Sequence, residues 1–208
     1  MAKPLVIVFA RAPRYGAVKT RLAKDIGAAE TISFYRRELN ALLRRLMRDA
    51  RFDVVLAVTP DASVLERGLW PRVPLACQGP GDLGRRMIRA LRSAGRRPAL
   101  VIGSDIPAIR PVHLATAFRA MGEAPVVLGP AQDGGYWLIG AQHPLRLRPD
   151  ALEGVRWSSA HTLGDSRERL GAARVLDLTL QDIDDGDAYR AYRASLSAAT
   201  RRATSASS

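Results

Sequence analysis

Seven short apolar runs alternate with amphipathic helical patterns, and that alternation fixes the class of fold open to this chain. The runs are PLVIVFA (4–10), DVVLAV (53–58), PLACQ (74–78), PALVIG (98–103), PVVLG (125–129), YWLIG (136–140) and ARVLDL (173–178). Helical patterns lie at 28–50, 82–94, 111–122, 158–171 and 187–196. In 28–50, Ile32, Tyr35, Leu39, Leu42, Leu43 and Leu46 share one side. Strands that are apolar throughout, rather than at every second position, need cover on both faces. The expectation is therefore an α/β fold: a single-domain mixed, mostly parallel sheet with helices on both faces.

In such sheets ligands sit outside the carboxyl ends of the strands. The polar and glycine-rich clusters fall there. ARAPRYGAVKTR follows the first run, QGPGDLG the third, GSDIP the fourth and GPAQDGG the fifth.

The first cluster looks like a phosphate loop but matches neither common pattern. Val18, not glycine, precedes Lys19, so G-x-x-x-x-G-K-[ST] fails, and Gly16 stands alone, so G-x-G-x-x-G fails. Its chemistry still suits anions. Arg11, Arg14, Lys19 and Arg21 gather where the chain leaves a strand and enters a helix, and exposed N–H groups at a helix start favour negative charge. Arg11 and Arg21 offer two-pronged donors, and Lys19 a point charge.

Carboxylates for a cation come from later clusters. Asp105 follows a buried strand, where an acid is costly unless paired or bound to a metal. Asp133 lies in a turn with Gly134 and Gly135, which let a ligand approach the backbone. Asp182, Asp184, Asp185 and Asp187 crowd a late segment; most are expected to cap the last helix and one to reach the site. Mg²⁺ or Mn²⁺ bridging a diphosphate takes only one or two protein carboxylates, so Asp105 is the candidate metal ligand.

Composition removes other classes. The 208-residue chain carries a net charge of +12, almost all of it from arginine. Arg85, Arg89, Arg92 and Arg96 recur at helical spacing opposite Leu83, Met87 and Leu91, which is a solvated helix face. Aromatics do not interleave with it, so no nucleic-acid groove is expected. The single cysteine, Cys77, allows no internal disulfide, and the N-terminal run lacks the features of a secretory signal; the expectation is a cytoplasmic protein without a membrane span. No histidine–cysteine spacing suits zinc, and no G-x-S-x-G marks a hydrolase elbow.

Six segments in order, FARAPRYGAVKTRLA (9–23), QGPGDLGRRM (78–87), VIGSDIPAI (101–109), VVLGPAQDGGYWLIG (126–140), VRWSS (155–159) and DIDDGDAY (182–189), resemble the DUF2064 group of GT-A-like nucleotide-diphospho-sugar transferases. The same skeleton is similar to small nucleotidyltransferases. The resemblance implies a transferase domain over 1–196, with 197–208 expected to be a disordered tail. It implies a nucleotide or nucleotide-sugar seated near Ala10, Arg11, Gly16, Lys19 and Arg21, with Gly81, Asp82 and Gly84 near base or ribose. Asp105 would hold Mg²⁺ or Mn²⁺. Asp133 and Lys19 would serve catalysis, and Gly134, Gly135, Trp157 and Ser158 would line the side taking a small-molecule acceptor. Plainer roles stand beside these: a core aromatic for Trp157, turn glycines for Gly81 and Gly84.

Two departures bear on the reaction. Sugar transferases of this fold usually carry D-x-D at the metal strand, where this chain has G-S-D; the late motif usually runs D-I-D-T-P-E-D, where this chain has D-I-D-D-G-D. Glycosyl transfer is the leading expectation. Nucleotidyl transfer, with release of pyrophosphate, is the alternative.

Overall fold

The computed structural model describes residues 2–205, with side chains through residue 198. The element order is β1 (Leu5–Arg11), α1 (Thr20–Ile26), α2 (Ala28–Met47), β2 (Asp53–Thr59), β3 (Leu75–Cys77), α3 (Leu83–Ser93), β4 (Ala99–Gly103), α4 (Pro111–Ala120), β5 (Val126–Pro130), β6 (Tyr136–Ala141), α5 (Thr162–Leu170), β7 (Ala173–Val175) and α6 (Gly186–Ser205). The strands form one sheet in the order β3-β2-β1-β4-β6-β5-β7. β6 is antiparallel to both β4 and β5, and every other pairing is parallel. The expected mixed, mostly parallel sheet is present.

Alternation along β1 explains why its whole length is apolar. Val6 and Val8 join the cluster that holds Leu39, Leu42 and Leu46 of α2 and Leu114 of α4. Leu5 and Ile7 join the opposite cluster, with Met87, Ile88 and Leu91 of α3. Helices therefore cover both faces, and a strand between them has no polar side.

Two features of the topology place a site. The chain runs from β1 outward through β2 and β3, then returns to β4 on the other flank of β1. Ligands bind where the strand order reverses in this way, beyond the carboxyl ends of β1 and β4. The reversed strand β6 pairs Leu138 with Ile102, so its beginning, not its end, lies at that same edge.

The helical pattern begun at Ala28 is preceded by a separate helix, α1, with Gly27 at the junction (φ 84°). The last helix does not stop near residue 196. It runs to Ser205, because SLSAATRRATS offers alanine, leucine and arginine and no glycine or proline to end a helix. The expected disordered tail is thus helical over 197–205, and its positions 206–208 lie outside the described residues. Among the described residues no helix is long and apolar enough to cross a membrane.

Leu46 is fully buried between α2 and the sheet. Leu46→Ala is expected to destabilise the chain by about 2–5 kcal/mol, measured by denaturant unfolding.

Candidate functional site

The loop leaving β1 returns a lysine to the sheet edge. Lys19 takes the left-handed conformation (φ 45°, ψ 51°), which is uncommon without a glycine. Its side chain is only 3% exposed. The ammonium donates to the carbonyl of Ile183 at 2.7 Å and lies 3.6 Å from Asp105 Oδ2 and 3.7 Å from Asp184 Oδ1. One cation thus joins three segments that are far apart in sequence. The Ile183 N–H also donates to the carbonyl of Asp105 at 3.3 Å, so the late segment is bonded to the end of β4. Ile183 packs with Leu22 and Phe34, and the Gly186 N–H donates to Asp25 at 2.7 Å, which moors the same segment on α1 and α2.

A second tie lies beneath Asp105. The Tyr35 hydroxyl donates to the carbonyl of Arg11 at 3.0 Å and accepts from the Arg11 N–H at 3.1 Å. It also lies 3.3 Å from Ser104 Oγ, which lies 3.3 Å from Asp105 Oδ1. Burial first, and the Asp105 carboxylate second, push the Tyr35 phenol well above its usual pKa, so it stays protonated and keeps its donor.

A cavity of about 240 Å³ opens over this edge. Leu83 and Met87 of α3, Ile106, Tyr136, Trp137 and Trp157 supply its apolar walls; Asp105, Asp133 and Asp182 bring three carboxylates to it. Its far wall is held by close approaches. Trp157 lies edge-on to Tyr136, centroids 6.4 Å apart, and a Cβ on Gly84 would come within 2.7 Å of the Trp157 ring. A Cβ on Gly134 would fall 2.5 Å from Ala160 Cα, and Gly134 has φ 84°, so only glycine fits that turn. Ser158 is itself left-handed, with φ 54°.

The structure brings Asp105, Asp133, Gly135, Trp157 and Ser158 to one cavity. Asp133 is exposed and oriented: its Oδ1 accepts from the Gly135 N–H at 2.9 Å. Arg21 is 81% exposed and 3.9 Å from Asp184, and is not among the residues lining the cavity. Arg11 spans its own loop, donating to the Ala17 carbonyl, and Gly16 supplies the left-handed turn there. Other expected residues have structural duties. Ala10 is buried, its carbonyl accepting from Gln78 Nε2 at 3.1 Å. Asp82 caps α3, accepting from the Arg85 N–H at 2.8 Å. Gly81 has φ 102° ahead of that cap, and Gly84 is the packing point for Trp157 rather than a turn.

The late acids divide, and two of them reach the site, not one. Asp185 accepts from the Ala188 N–H and Asp187 pairs with Arg190, while Asp184 meets Lys19 and Asp182 faces the cavity. Tyr35, Ser104 and Gln78 were missed. Each works through a backbone carbonyl or a neighbour distant in sequence, which no local motif records.

Asp182 is half-buried, and burial first, then the nearby Asp184 carboxylate, raises its pKa, with smaller contributions from Asp133 and Asp105. Crowded carboxylates of this kind suit a divalent cation. Among the described residues no group of three or more acids, histidines or cysteines forms a full metal cage. The carboxylates that could hold a cation there are Asp105 and Asp182, a set that would suit an ion held mostly by phosphate and water.

Comparison with known proteins follows this geometry. A model of the DUF2064 family, described as "Uncharacterized protein conserved in bacteria", matches residues 42–159, over half of the chain. The chain belongs to the DUF2064 family. No curated protein matches it. Among solved structures this DUF2064 chain is similar to a protein of Desulfovibrio desulfuricans G20 provisionally named a nucleotide-diphospho-sugar transferase (28% identity, TM-score 0.75, covering 89% of this chain and 84% of that one). It shares its fold with CMP:2-keto-3-deoxy-manno-octonic acid synthetase complexed with CTP (12% identity, TM-score 0.62, 94% and 99% covered). It also shares it with Rv0371c of Mycobacterium tuberculosis H37Rv complexed with manganese (17% identity, TM-score 0.54, 90% and 97% covered). The Lys19 loop and the late acids of the DUF2064 chain both lie outside the stretch matched by the family model.

Two outcomes follow. Lys19→Met leaves Asp105, Asp184 and the Ile183 carbonyl without their shared donor; with both acids partly in water, the expected loss is about 1–3 kcal/mol by denaturant unfolding. For Asp182 the folded-state pKa is raised, so its charge disfavours the fold above that pKa, and the effect vanishes as pH falls below the unfolded value. Asp182→Asn, in chelator, is expected to raise Tm at pH 7 by roughly 1–3 °C and to leave it unchanged at acid pH, read by calorimetry.

Proposed function

We propose that this chain is a metal-dependent transferase that uses a nucleotide-diphospho-sugar and passes the sugar to a small-molecule acceptor. One observation carries the reading: Asp105 and Asp182, from segments nearly eighty residues apart, share a cavity with Asp133 at the switch point of the sheet. The nucleotide would lie over the β1 edge, with Arg11 and Arg21 meeting its phosphates, and the acceptor would fill the cavity beside β4 and β6.

Mg²⁺ or Mn²⁺, held by Asp105 and Asp182, would supply neutralisation of the diphosphate charge. Lys19 is a positioning residue, since its ammonium is buried against the carboxylates and the Ile183 carbonyl. It fixes the spacing of the acids rather than gripping phosphate. Asp133 receives the proton of the acceptor hydroxyl. That oxygen bonds to the anomeric carbon, the bond from that carbon to the diphosphate breaks, and the electron pair leaves with the nucleoside diphosphate. Similarity at 28% identity to the Desulfovibrio protein supports sugar transfer.

A second reading, nucleotidyl transfer, is favoured by the lone carboxylate of G-S-D at the end of β4. There the acceptor attacks the α-phosphorus and pyrophosphate leaves. The fold shared with the synthetase complexed with CTP is one that can seat a nucleotide, which is compatible with this reading.

Calorimetric titration with nucleoside diphosphates is expected to show binding that requires Mn²⁺ and disappears in Asp105→Ala. Asp133→Asn should keep the binding and lower turnover by about 10²-fold or more. Metal-independent binding, or an unaffected Asp105→Ala protein, would remove the proposal. Chromatography of products separates the two reactions, as nucleoside diphosphate or pyrophosphate.

A further inference from the structure

The chain carries 32 lysines and arginines, yet among the described residues none lines the cavity at the switch point. Its charged groups there are the acids Asp105, Asp133 and Asp182. Lys19 lies behind Asp105 with its side chain 3% exposed, so it offers no donor to an occupant. The start of α3 adjoins the cavity at Leu83, and a helix start ordinarily attracts anions. Here the side chain of Asp82 already fills that position, accepting from the Arg85 N–H.

Apart from the hydroxyl residues Ser158, Thr162 and Tyr136, the rest of the wall is apolar. Leu83, Met87, Ile106 and Trp157 face about 240 Å³, and a dry cavity of about 150 Å³ already admits a benzene ring. The wall cannot yield easily, because Trp157 rests on Gly84 and Ala160 rests on Gly134. The space has room for one ring with a short substituent.

We infer that the acceptor is an uncharged alcohol with an apolar body of about one ring, and that phosphorylated or carboxylated acceptors are excluded. The inference rests on the transferase reading above and names the class of its second substrate. A hydroxyl at the acidic end can donate to Asp133, whereas an anionic group there would meet that carboxylate with no lysine or arginine in the lining to offset it, the charge of a cation at Asp105 and Asp182 being taken up by the diphosphate. The strong positive charge of the chain as a whole gives the opposite expectation, so the cavity's own lining decides.

Benzyl alcohol and benzyl phosphate share one body and differ in charge. The chain has three tryptophans, and in two of them, Trp70 and Trp137, the indole N–H donates to a backbone carbonyl. The indole signal of Trp157, assigned by its loss in Trp157→Phe, reports the cavity by NMR, with chelator present so that no metal recruits phosphate. Benzyl alcohol is expected to shift that signal saturably, and benzyl phosphate to bind there roughly ten-fold more weakly or less. Leu83 is 45% exposed, so Leu83→Arg should fold, and it should reverse the preference by supplying the missing charge. Benzyl phosphate binding as tightly as the alcohol, or an alcohol that fails to saturate the signal, overturns the inference. Titration of the same protein with nucleoside diphosphate and Mn²⁺ keeps the two levels apart. Alcohol at Trp157 without metal-dependent nucleotide binding overturns the transferase reading and upholds the cavity's selectivity.

Discussion

A single ammonium group holds the working edge of this protein together. Lys19 reaches the carbonyl of Ile183 and the carboxylates of Asp105 and Asp184 from a left-handed backbone position. Left-handed lysine costs about 1–2 kcal/mol, so the loop keeps that shape because the charge finds partners only there. Without the ammonium, the end of β4 and the late loop would present adjacent acids to each other. With it, they form one surface whose remaining negative charge, centred on Asp182, is available to a cation.

Above that tie, the fold divides labour between two flanks. The segment joining β1 to α1 carries Arg11, Arg14 and Arg21. The β4–β6 side carries the acids and the aromatic walls. The reversal of β6 creates the division, since it delivers Tyr136 and Trp137 to the edge that a parallel strand would have supplied with a helix-bound loop. Glycines 84 and 134 then let α3 and the 131–135 turn close upon the 157–160 segment.

Much of this was legible in the chain. Apolar runs bounded by glycine-rich clusters gave the strands and the edge where ligands sit. GSDIP and QDGG put Asp105 and Asp133 at that edge, because both clusters directly follow buried strands. A helix entered near Lys19 was legible, but the split at Gly27 that makes α1 a separate element was not, since seven residues carry too little periodicity to stand apart. The full length of α6 is not legible, because a polar, alanine-rich segment with no docking residue looks like a tail although nothing in it ends a helix. Asp82 and Gly84 look like ligand-binding residues in G-D-L-G, yet a cap and a packing point require the same residue types.

The sequence by itself determined the layered sheet, the edge that holds the site and the acids at 105 and 133, because strand burial and loop chemistry are local properties written in neighbouring residues. Only the tertiary structure decided that Lys19 is buried among acids and that Asp182 joins Asp105. It alone showed that a basic protein keeps one cavity free of basic side chains. Those facts depend on which distant segments meet, and meeting is set by packing across the whole sheet, which no short stretch of residues encodes.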